Sequence, residues 1–282
     1  MERKTALMIN ALALQHNGNN EALKFLPQEW QKRMQSAGSP KKNFNFEKSS
    51  LGFSYLIDEM HYSWLLDGIQ SYSSRIFPLF VASLDQKQKE GLTRLIQFQT
   101  KLPVLPSGTK SYLKKLLAHS LHLEDHVPFS LLPESSLDEL LTMNKSDLVV
   151  LIQKLGLHDL AKELLVIVDK NRISQIYHLL TKEEGEYLSF CMRQPNDGSR
   201  DKTQLLNFAN DPVQFARRIQ ESGLKRLGLA LSRQDSEWLW HFTRRLDKGR
   251  GQQIERWSAQ LEDPTSARAI AQLTALLKRN KN

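Results

Sequence analysis

The sequence predicts an all-α fold in which short helices follow one another as small serial modules. Apolar residues recur at spacings of three and four along most of the chain, as at Leu148, Leu151 and Leu155, and this period places them on one stripe of a helix. No segment sustains an alternation of β-branched and polar residues, and no Asn-Gly or Asp-Gly turn joins two such runs. Both observations favour helices over a sheet.

Four joints rich in proline, glycine or serine interrupt this pattern, because such residues remove amide donors or allow backbone angles that end a helix. The joints lie at residues 37–42, 102–108, 128–136 and 194–199. The predicted parts are an N-terminal helical segment (1–38), a middle helical module (44–102), a module with the first repeat copy (109–193) and a C-terminal module with the second copy (203–282).

Residues that cap helices stand before three of the predicted helices. Asp147 precedes an apolar run, Asp211 is followed by Pro212, and Asp263 is followed by Pro264. A short side-chain acceptor satisfies free amides of the first turn, and proline fits the first helical position. These signals predict helix starts close to residues 147, 212 and 264.

An internal repeat is the most informative feature of the chain. A constant offset of 67 in residue number aligns Ile152 with Ile219 and Gly156 with Gly223 without a gap. Unrelated amphipathic stretches can also align through their helical period, but they do not share glycines in register. We expect each glycine to end a helix in a left-handed cap. With a weaker third copy at an offset of 95, the repeat predicts stacked, armadillo-like helical modules built to one template.

The chain is basic, with 39 Lys+Arg against 31 Asp+Glu and a net charge of +8, and nearly all of the excess lies in residues 193–282. This excess indicates an anionic partner (nucleic acid, acidic lipid or an acidic protein face) or an ordinary solvated surface. A content of 40% apolar and 25% charged residues excludes collagen-like, mucin-like and largely disordered classes.

The expected setting is cytoplasmic. No apolar run is long enough to span a membrane, and the N-terminus predicts no secretory signal. The single cysteine, Cys191, excludes an internal disulfide framework and fits a reducing compartment.

The sequence predicts no catalytic group, no cofactor site and no metal site. Phosphate-binding glycine loops and nucleophile elbows are absent, and Cys191 is interpreted as a small core residue. His119, His122 and His126 have the spacing of one helix face, as a metal site could use, although Pro128 follows closely.

The tryptophans have different expected roles. Trp240 and Trp257 align with Ile173 and Phe190 of the first repeat copy, so we predict both in the core. Trp238, two residues from Trp240, cannot share its helix face and is the candidate for an exposed contact. An exposed tryptophan beside arginines could also stack a nucleic-acid base.

Residues 227–242 read Leu-Gly-Leu-Ala-Leu-Ser-Arg-Gln-Asp-Ser-Glu-Trp-Leu-Trp-His-Phe. This run resembles, without a gap, the Leu-Ala-x-Ala-Leu-Lys-Gly-Ala-Ser-Glu-Glu-Leu-x-x-x-Ile motif of the flagellar motor switch protein family, FliG. Residues 246–254 follow the family's next motif, residues 137–188 resemble the same module, and residues 4–12 and 22–29 resemble its N-terminal segments. The resemblance implies helical armadillo-like modules.

The motifs that serve the rotary motor are changed in this chain. His61 stands where the family has Glu-His-Pro-Gln, but Tyr-Ser follows it. The Met-Phe-x-Phe hinge is replaced at residues 134–137, and Arg-Trp stands at 256–257 in place of the acidic pair of the torque helix. The resemblance therefore implies a relative from a non-flagellar type III secretion system, without torque generation.

The resemblance implies a non-enzymatic scaffold or adaptor beneath the basal body, cytoplasmic and peripheral to the inner membrane through its partners. The expected partners are a membrane-ring protein and a switch-like protein or an ATPase complex, with no nucleic acid; a homo-oligomer is a further expected form. The candidate partner-binding residues are residues expected to be exposed near the changed motif (Glu59, His61, Tyr62, Trp64 and Arg75) and residues of the basic helix (Trp238, Arg244, Arg245, Lys248, Arg250 and Arg256).

Two other functions stay open from the sequence. A basic helical protein could bind nucleic acid, with an affinity that falls steeply with salt. A metal-dependent enzyme could use the three histidines, and this requires a bound metal.

Overall fold

The computed structural model describes residues 5, 9, 24, 27–37, 54–97, 101–193, 205–208, 210–260 and 266–279. Within these ranges every regular element is a helix and no β-strand is present, so the prediction of an all-α fold is confirmed. None of the helices in these ranges combines the length and the apolar character needed to cross a membrane.

Fourteen α-helices lie in the described ranges. In chain order they are α1 (Gln28–Ala37), α2 (Ser54–Glu59), α3 (Tyr62–Gln70), α4 (Phe77–Ser83), α5 (Gln86–Leu95), α6 (Ser107–Ser120), α7 (Glu139–Thr142), α8 (Lys145–Leu164), α9 (Lys170–His178), α10 (Lys182–Met192), α11 (Pro212–Ala230), α12 (Ser236–Arg245), α13 (Lys248–Ser258) and α14 (Ser266–Arg279). Short 3-10 helices span Leu123–Asp125, Phe129–Leu131 and Leu205–Phe208.

The chain divides into two compact units. Unit 1 comprises Met1–Asp138 and Asp235–Gly251, and unit 2 comprises Glu139–Gln234 and Gln252–Asn282. Helix α12 and the first turn of α13 therefore belong to unit 1. The four-part division stays a prediction, and most of the joints at 37–42 and 194–199 lies outside the described residues.

The predicted helix starts agree with the structure at the two positions that it describes. Asn144 caps α8, and its side-chain oxygen accepts the amide of Asp147 at 2.9 Å, so the helix starts two residues before Asp147. Asp211 caps α11 and accepts two amides of the first turn. Residues 263–264 lie outside the described part of the chain.

The core of unit 1 is formed by the apolar stripes of α2–α6. Leu65 and Ile69 from α3 pack with Phe80 from α4, Leu92 from α5 and Leu117 from α6, and all five are fully buried. Their spacing along each helix is the one that the sequence pattern predicts. Each such side chain contributes about 1.5–3 kcal/mol by leaving water.

The centre of unit 2 is a close crossing of α8 and α11. A Cβ atom on Gly156 would overlap the carbonyl oxygen of Ile219, and one on Gly223 would overlap the carbonyl oxygen of Ile152. Only glycine allows two backbones to approach so closely. The predicted left-handed caps are therefore wrong: both glycines lie inside continuous helices, because each is needed for packing and not for ending a helix.

The helix bounds repeat at the predicted offset. Adding 67 to the residue numbers of α8, α9 and α10 reproduces the bounds of α11, α12 and α13 to within one residue at each end. The grouping of the helices does not repeat, because α9 belongs to unit 2 whereas α12 belongs to unit 1. The armadillo-like arrangement thus stays a prediction.

A buried polar cluster links α8, α11 and α14 in unit 2. Asp159 accepts hydrogen bonds from Arg226 and Ser222, and Arg226 also donates to Gln272. Asp159 and Arg226 occupy equivalent positions of the two repeat copies. A buried charge pair requires its partners to be present, because either charge alone would be left desolvated.

Candidate partner-binding site

Two groups of predicted partner-binding residues, 182 residues apart in the chain, meet in unit 1. The amide of His61 donates to the carbonyl oxygen of Arg244 at 2.8 Å, and the indole Nε1 of Trp64 donates to the carbonyl oxygen of Leu246 at 2.9 Å. These bonds join the start of α3 to the end of α12. We name the combined set (Glu59, His61, Tyr62, Trp64, Arg244, Arg245 and Lys248) the α3–α12 cluster.

Lys248 ties the beginning of α13 to α3. Its backbone amide donates to the hydroxyl oxygen of Ser63 at 2.8 Å, and its Nζ donates to Asp67 Oδ2 at 2.6 Å. The same Ser63 hydroxyl lies 2.8 Å from Nδ1 of His61. The ion pair is largely exposed and contributes little to stability by itself; the backbone bond is the one that holds the segments together.

The guanidinium of Arg244 stacks on an aromatic base. Its Cζ lies 3.8 Å from the ring centroid of Trp64 and 5.3 Å from that of Trp240. The ring of His126 in turn stacks on Trp240, with 3.9 Å between centroids and 22° between planes. Contacts of a cation with an aromatic face contribute about 0.5–2 kcal/mol each, so Arg244 is held in one place on the cluster.

Glu237 anchors the segment after α6 to α12. Its Oε2 accepts the amide of Val127 at 2.9 Å and lies 3.2 Å from Nδ1 of His126. Burial acts to raise the pKa of Glu237, but the hydrogen bonds from His126 and Val127 outweigh it, and the pKa lies below its ordinary value. His241 adds a bond from Nε2 to the carbonyl oxygen of Val127 at 2.7 Å.

Glu59 and Arg245 bring opposite charges to the edge of the cluster. Burial lowers the pKa of Arg245, and the nearby carboxylate of Glu59 opposes that shift. Burial and the same carboxylate raise the pKa of Tyr55. Glu59 is exposed whereas Arg245 is half-buried, so the two opposite charges offer a polar rim beside the aromatic base.

The predicted partner-binding residues differ in exposure and in place. Glu59, Arg75 and Arg256 are exposed, Trp64 and Trp238 are buried, and the half-buried ones are His61, Tyr62, Arg244, Arg245, Lys248 and Arg250. Arg256 belongs to unit 2, Arg75 lies in the turn before α4, and Arg250 pairs with Asp247 at 3.0 Å. The structure therefore unites seven of the eleven predicted residues in the α3–α12 cluster and leaves Arg75, Arg250, Arg256 and the buried Trp238 outside it.

Trp238 and Trp240 both differ from their predictions, Trp238 by being buried and Trp240 by being only half-buried against the core of unit 1. Trp238 is only 1% exposed, stacks on Phe242 and donates from its indole to Asp138 Oδ1 at 2.8 Å, so the prediction of an exposed contact is wrong. Trp240 is half-buried. Trp240 shares the half-buried state of its repeat equivalent Ile173. The helix-face argument failed for Trp238 because α12 is buried on more than one side, with His241 and Phe242 buried as well.

Trp64 also differs from its prediction as an exposed contact. It is 7% exposed, with its ring beneath Arg244 and its indole N–H bonded to Leu246. A tryptophan in the first turn of a short helix reads equally well as buried or exposed from sequence. Contacts from distant α12 decide its burial.

The three histidines do not share a helix face. Helix α6 ends at Ser120, and His122 adopts a left-handed backbone with φ of 52°. His119 pairs with Glu124 at 2.6 Å, while His126 stacks on Trp240. No group of three or more His, Cys, Asp or Glu suited to a metal ion occurs in the part of the chain that the structure describes.

Two residues of this site were not singled out from the sequence. Glu237 reads as an ordinary acidic residue in the first turn of a helix, and His241 lacks any local motif. Their shared partner, Val127, lies 110 residues from Glu237 and 114 from His241. No signal within a single sequence could have paired them.

Unit 2 buries Cys191, as predicted. Burial raises the pKa of its thiol to about 11, which disfavours the thiolate that a nucleophile requires. Trp257 was predicted in the core by its alignment with Phe190. Phe190 is 40% exposed and Trp257 is half-buried, so neither is a core residue.

A shallow polar groove of about 520 Å³ lies at the start of α9 in unit 2. Asp169 caps α9 there, accepting the amides of Asn171 and Arg172, and Arg172 Nη2 donates to the carbonyl oxygen of Leu206 at 3.3 Å. These groups are already used in holding the helix start and the 205–208 segment. The groove thus offers little chemistry of its own.

Comparisons of the chain with protein-family models, with curated proteins and with solved structures gave no match. The chemistry of the α3–α12 cluster is that of a contact surface: a buried aromatic base, a stacked arginine and charged groups at its edge. Such residue types dominate the energetics of protein–protein interfaces.

Proposed function

We propose that the protein is a non-enzymatic scaffold or adaptor, FliG-like, of a type III secretion apparatus, and that the α3–α12 cluster is its docking site for a partner. The partner is a membrane-ring protein, a switch-like protein or a component of an ATPase complex. The protein would work at the cytoplasmic side of the basal body, attached to the inner membrane through these partners, and could assemble into a homo-oligomer there.

The observation that carries this proposal is the meeting of two groups of predicted partner-binding residues, one near the changed motif and one on the basic helix. The changed motif at His61 and the basic helix end at Arg244 are joined by a backbone hydrogen bond of 2.8 Å. Residues chosen from distant parts of the sequence for one role thus share one surface.

The construction of the cluster supports a docking role. Trp64 is held by its indole bond to Leu246, and Arg244 is held by Trp64, so these side chains lose little conformational entropy when a partner binds. Glu59 and Lys248 at the edge give charges of both signs, which favour one orientation of the partner over others.

The repeated helix bounds are consistent with armadillo-like modules. Copies of a helical unit at an offset of 67 present broad surfaces, and such surfaces suit scaffolds better than catalysts. The second helix of the first copy, α9, belongs to unit 2, whereas the second helix of the second copy, α12, belongs to unit 1.

A binding experiment with purified components tests the proposal. The full chain is mixed with purified ring protein, switch-like protein and ATPase-complex components of the same secretion system, and binding is measured by analytical ultracentrifugation. The variant Arg245→Glu/Lys248→Glu should lose binding, because it reverses two charges at the rim without touching Trp64. The matched control Lys87→Glu on α5 reverses an exposed charge elsewhere in unit 1 and should bind like the parent chain.

Failure of all three components to bind the parent chain would contradict the proposal. Equal loss in the control would contradict the placement of the site. The nucleic-acid alternative predicts retention of DNA or RNA that weakens steeply with salt, and it has lost its proposed stacking residue, since Trp238 is buried.

A further inference from the structure

Phe190 and Trp257 occupy equivalent positions of the two repeat copies and both belong to unit 2. Each carries an aromatic ring with a cation over it. The guanidinium Cζ of Arg279 lies 4.5 Å from the ring centroid of Phe190. At the equivalent position, Nζ of Lys225 lies 5.0 Å from Trp257, with Cζ of Arg256 at 5.9 Å. Packing of the core explains neither ring, because Phe190 is exposed and Trp257 is half-buried.

The first of these surfaces extends on to α8. Tyr187 lies beside Phe190, with 6.0 Å between ring centroids. Nζ of Lys154 lies 5.8 Å from the Tyr187 ring, and Arg279 lies 5.7 Å from it. Tyr187 itself is buried, with 6% exposure. We name Lys154, Phe190 and Arg279 the Phe190 surface, and Lys225, Arg256 and Trp257 the Trp257 surface.

The cations of both surfaces have no carboxylate partner among the described residues. The described part of unit 2 holds 16 Lys+Arg against 11 Asp+Glu, and several of its acids are engaged elsewhere. Asp159 binds Arg226, and Glu221 binds Arg217 and Arg218. Glu163 accepts the amides of the 205–208 segment. Lys154, Lys225, Arg256 and Arg279 are therefore the cations of these two surfaces that an external anion would meet.

We propose that the Phe190 and Trp257 surfaces are repeat-equivalent docking sites for an acidic polypeptide segment, one that carries carboxylates next to apolar side chains. The carboxylates would pair with the cations, and the apolar side chains would pack beside the rings, which needs no open ring face. Aromatic residues and arginine are the types that contribute most to such interfaces.

The geometry favours a polypeptide over the other anionic partners. A nucleic acid needs a free ring face for stacking, whereas Arg279 covers the ring of Phe190. A membrane-binding helix exposes large apolar residues, whereas the exposed face of α14 holds Ala271 and Ala275 with basic residues. Both surfaces belong to unit 2, whereas the α3–α12 cluster of the proposed function belongs to unit 1.

Fluorescence anisotropy with the full chain tests the proposal. The probe is a fluorescein-labelled amphipathic peptide with leucines on one face and glutamates beside them; a second peptide has glutamine in place of each glutamate. The glutamate peptide should bind, and the glutamine peptide should bind more weakly. Arg279→Gln and Lys225→Gln should each weaken binding about two- to fivefold, and the double variant more.

Charge-matched controls separate the two surfaces from general electrostatics. Arg268→Gln and Arg233→Gln each remove one exposed positive charge of unit 2 and should leave the affinity close to that of the parent chain. Phe190→Ser should weaken binding without a change of charge. Circular dichroism and the unfolding midpoint establish that every variant is folded.

Three outcomes would overturn the proposal. The glutamine peptide could bind as tightly as the glutamate peptide, or the controls could weaken binding as much as the site variants. Single-stranded DNA or phosphatidylglycerol vesicles could bind in place of the peptide and depend on Arg279 and Lys225.

Discussion

Gly156 and Gly223 lie at one crossing point in unit 2, each against the backbone of the other's helix. The repeat places them in equivalent positions, and each leaves room for the carbonyl oxygen of an equivalent residue, Ile219 or Ile152. The contact is therefore reciprocal. The two copies of the repeat pack on each other through the residues that they share, which explains why the glycines coincide in the alignment.

Substitution of either glycine by alanine should push α8 and α11 apart. Alanine favours a helix by about 1 kcal/mol over glycine, but overpacking against a backbone oxygen costs more, and we expect Gly156→Ala or Gly223→Ala to destabilise by about 1–3 kcal/mol net. Urea unfolding measures the change. Gly185→Ala in α10 is the control: its Cβ would meet Tyr177 at an ordinary 3.4 Å, and it should be neutral or stabilising. Similar effects at all three positions would contradict the close crossing.

The Asp159–Arg226 pair should show strong coupling. Replacing either residue alone by leucine leaves a buried charge unpaired and should cost about 3 kcal/mol. The double replacement should cost clearly less than the sum, as measured by a double-mutant cycle in urea. Arg217→Ala, which breaks an exposed pair with Glu221, should cost less than about 1 kcal/mol. Additive losses at Asp159 and Arg226 would rule out the pairing.

Glu237→Gln should change the acid stability of the protein. The folded pKa of Glu237 lies below its ordinary value, so its carboxylate stabilises the fold above the unfolded pKa of about 4.3 and this contribution is lost as the pH falls through the folded pKa. We expect the variant to be less stable by about 1–3 kcal/mol at neutral pH. The difference should shrink under acid conditions.

Thermal unfolding of the two proteins between pH 3 and pH 8 measures this difference. Glu90→Gln on α5, where the carboxylate is exposed and accepts from Gln86, is the matched control and should show no such pH dependence. A constant difference across the range for Glu237→Gln would refute the role of the carboxylate charge.

Trp238→Phe should destabilise unit 1, because it removes the indole bond to Asp138 and some buried area. The expected cost is about 1–3 kcal/mol by urea unfolding. Trp30→Phe on α1, at an exposed position, should cost less than about 0.5 kcal/mol. If the two replacements had the same small effect, the burial of Trp238 would be in error.

Helix class and helix bounds were predictable because they depend on local chemistry. The three- and four-residue spacing predicts the helices, and Asp211 with Pro212 predicts the start of α11. The offset of 67 predicts the bounds of α12 and α13 from those of α9 and α10. The third copy, at an offset of 95, is only partly expressed: the continuous α8 corresponds to the separate helices α2 and α3, which are interrupted near His61.

The site could be predicted only in part, because its members are joined by contacts between distant segments. The sequence singled out His61, Trp64 and Arg244, yet not their meeting, which rests on hydrogen bonds across more than 180 residues. It assigned Trp238 to the surface and Trp240 to the core, whereas the structure buries Trp238 and leaves Trp240 half-buried against the core of unit 1. A helix pattern shows which residues share a face, whereas the neighbour on that face is set by chain-distant packing.

The sequence by itself determined that this protein is helical and that helices start close to residues 147 and 212, because caps, breakers and apolar spacing act within a few residues. Only the tertiary structure decided that the paired glycines serve a helix crossing, that α12 packs in unit 1 with α3, and that Phe190 and Trp257 face outward under cations. Burial and charge pairing depend on which helices meet, and the meeting of helices is a property of the whole chain.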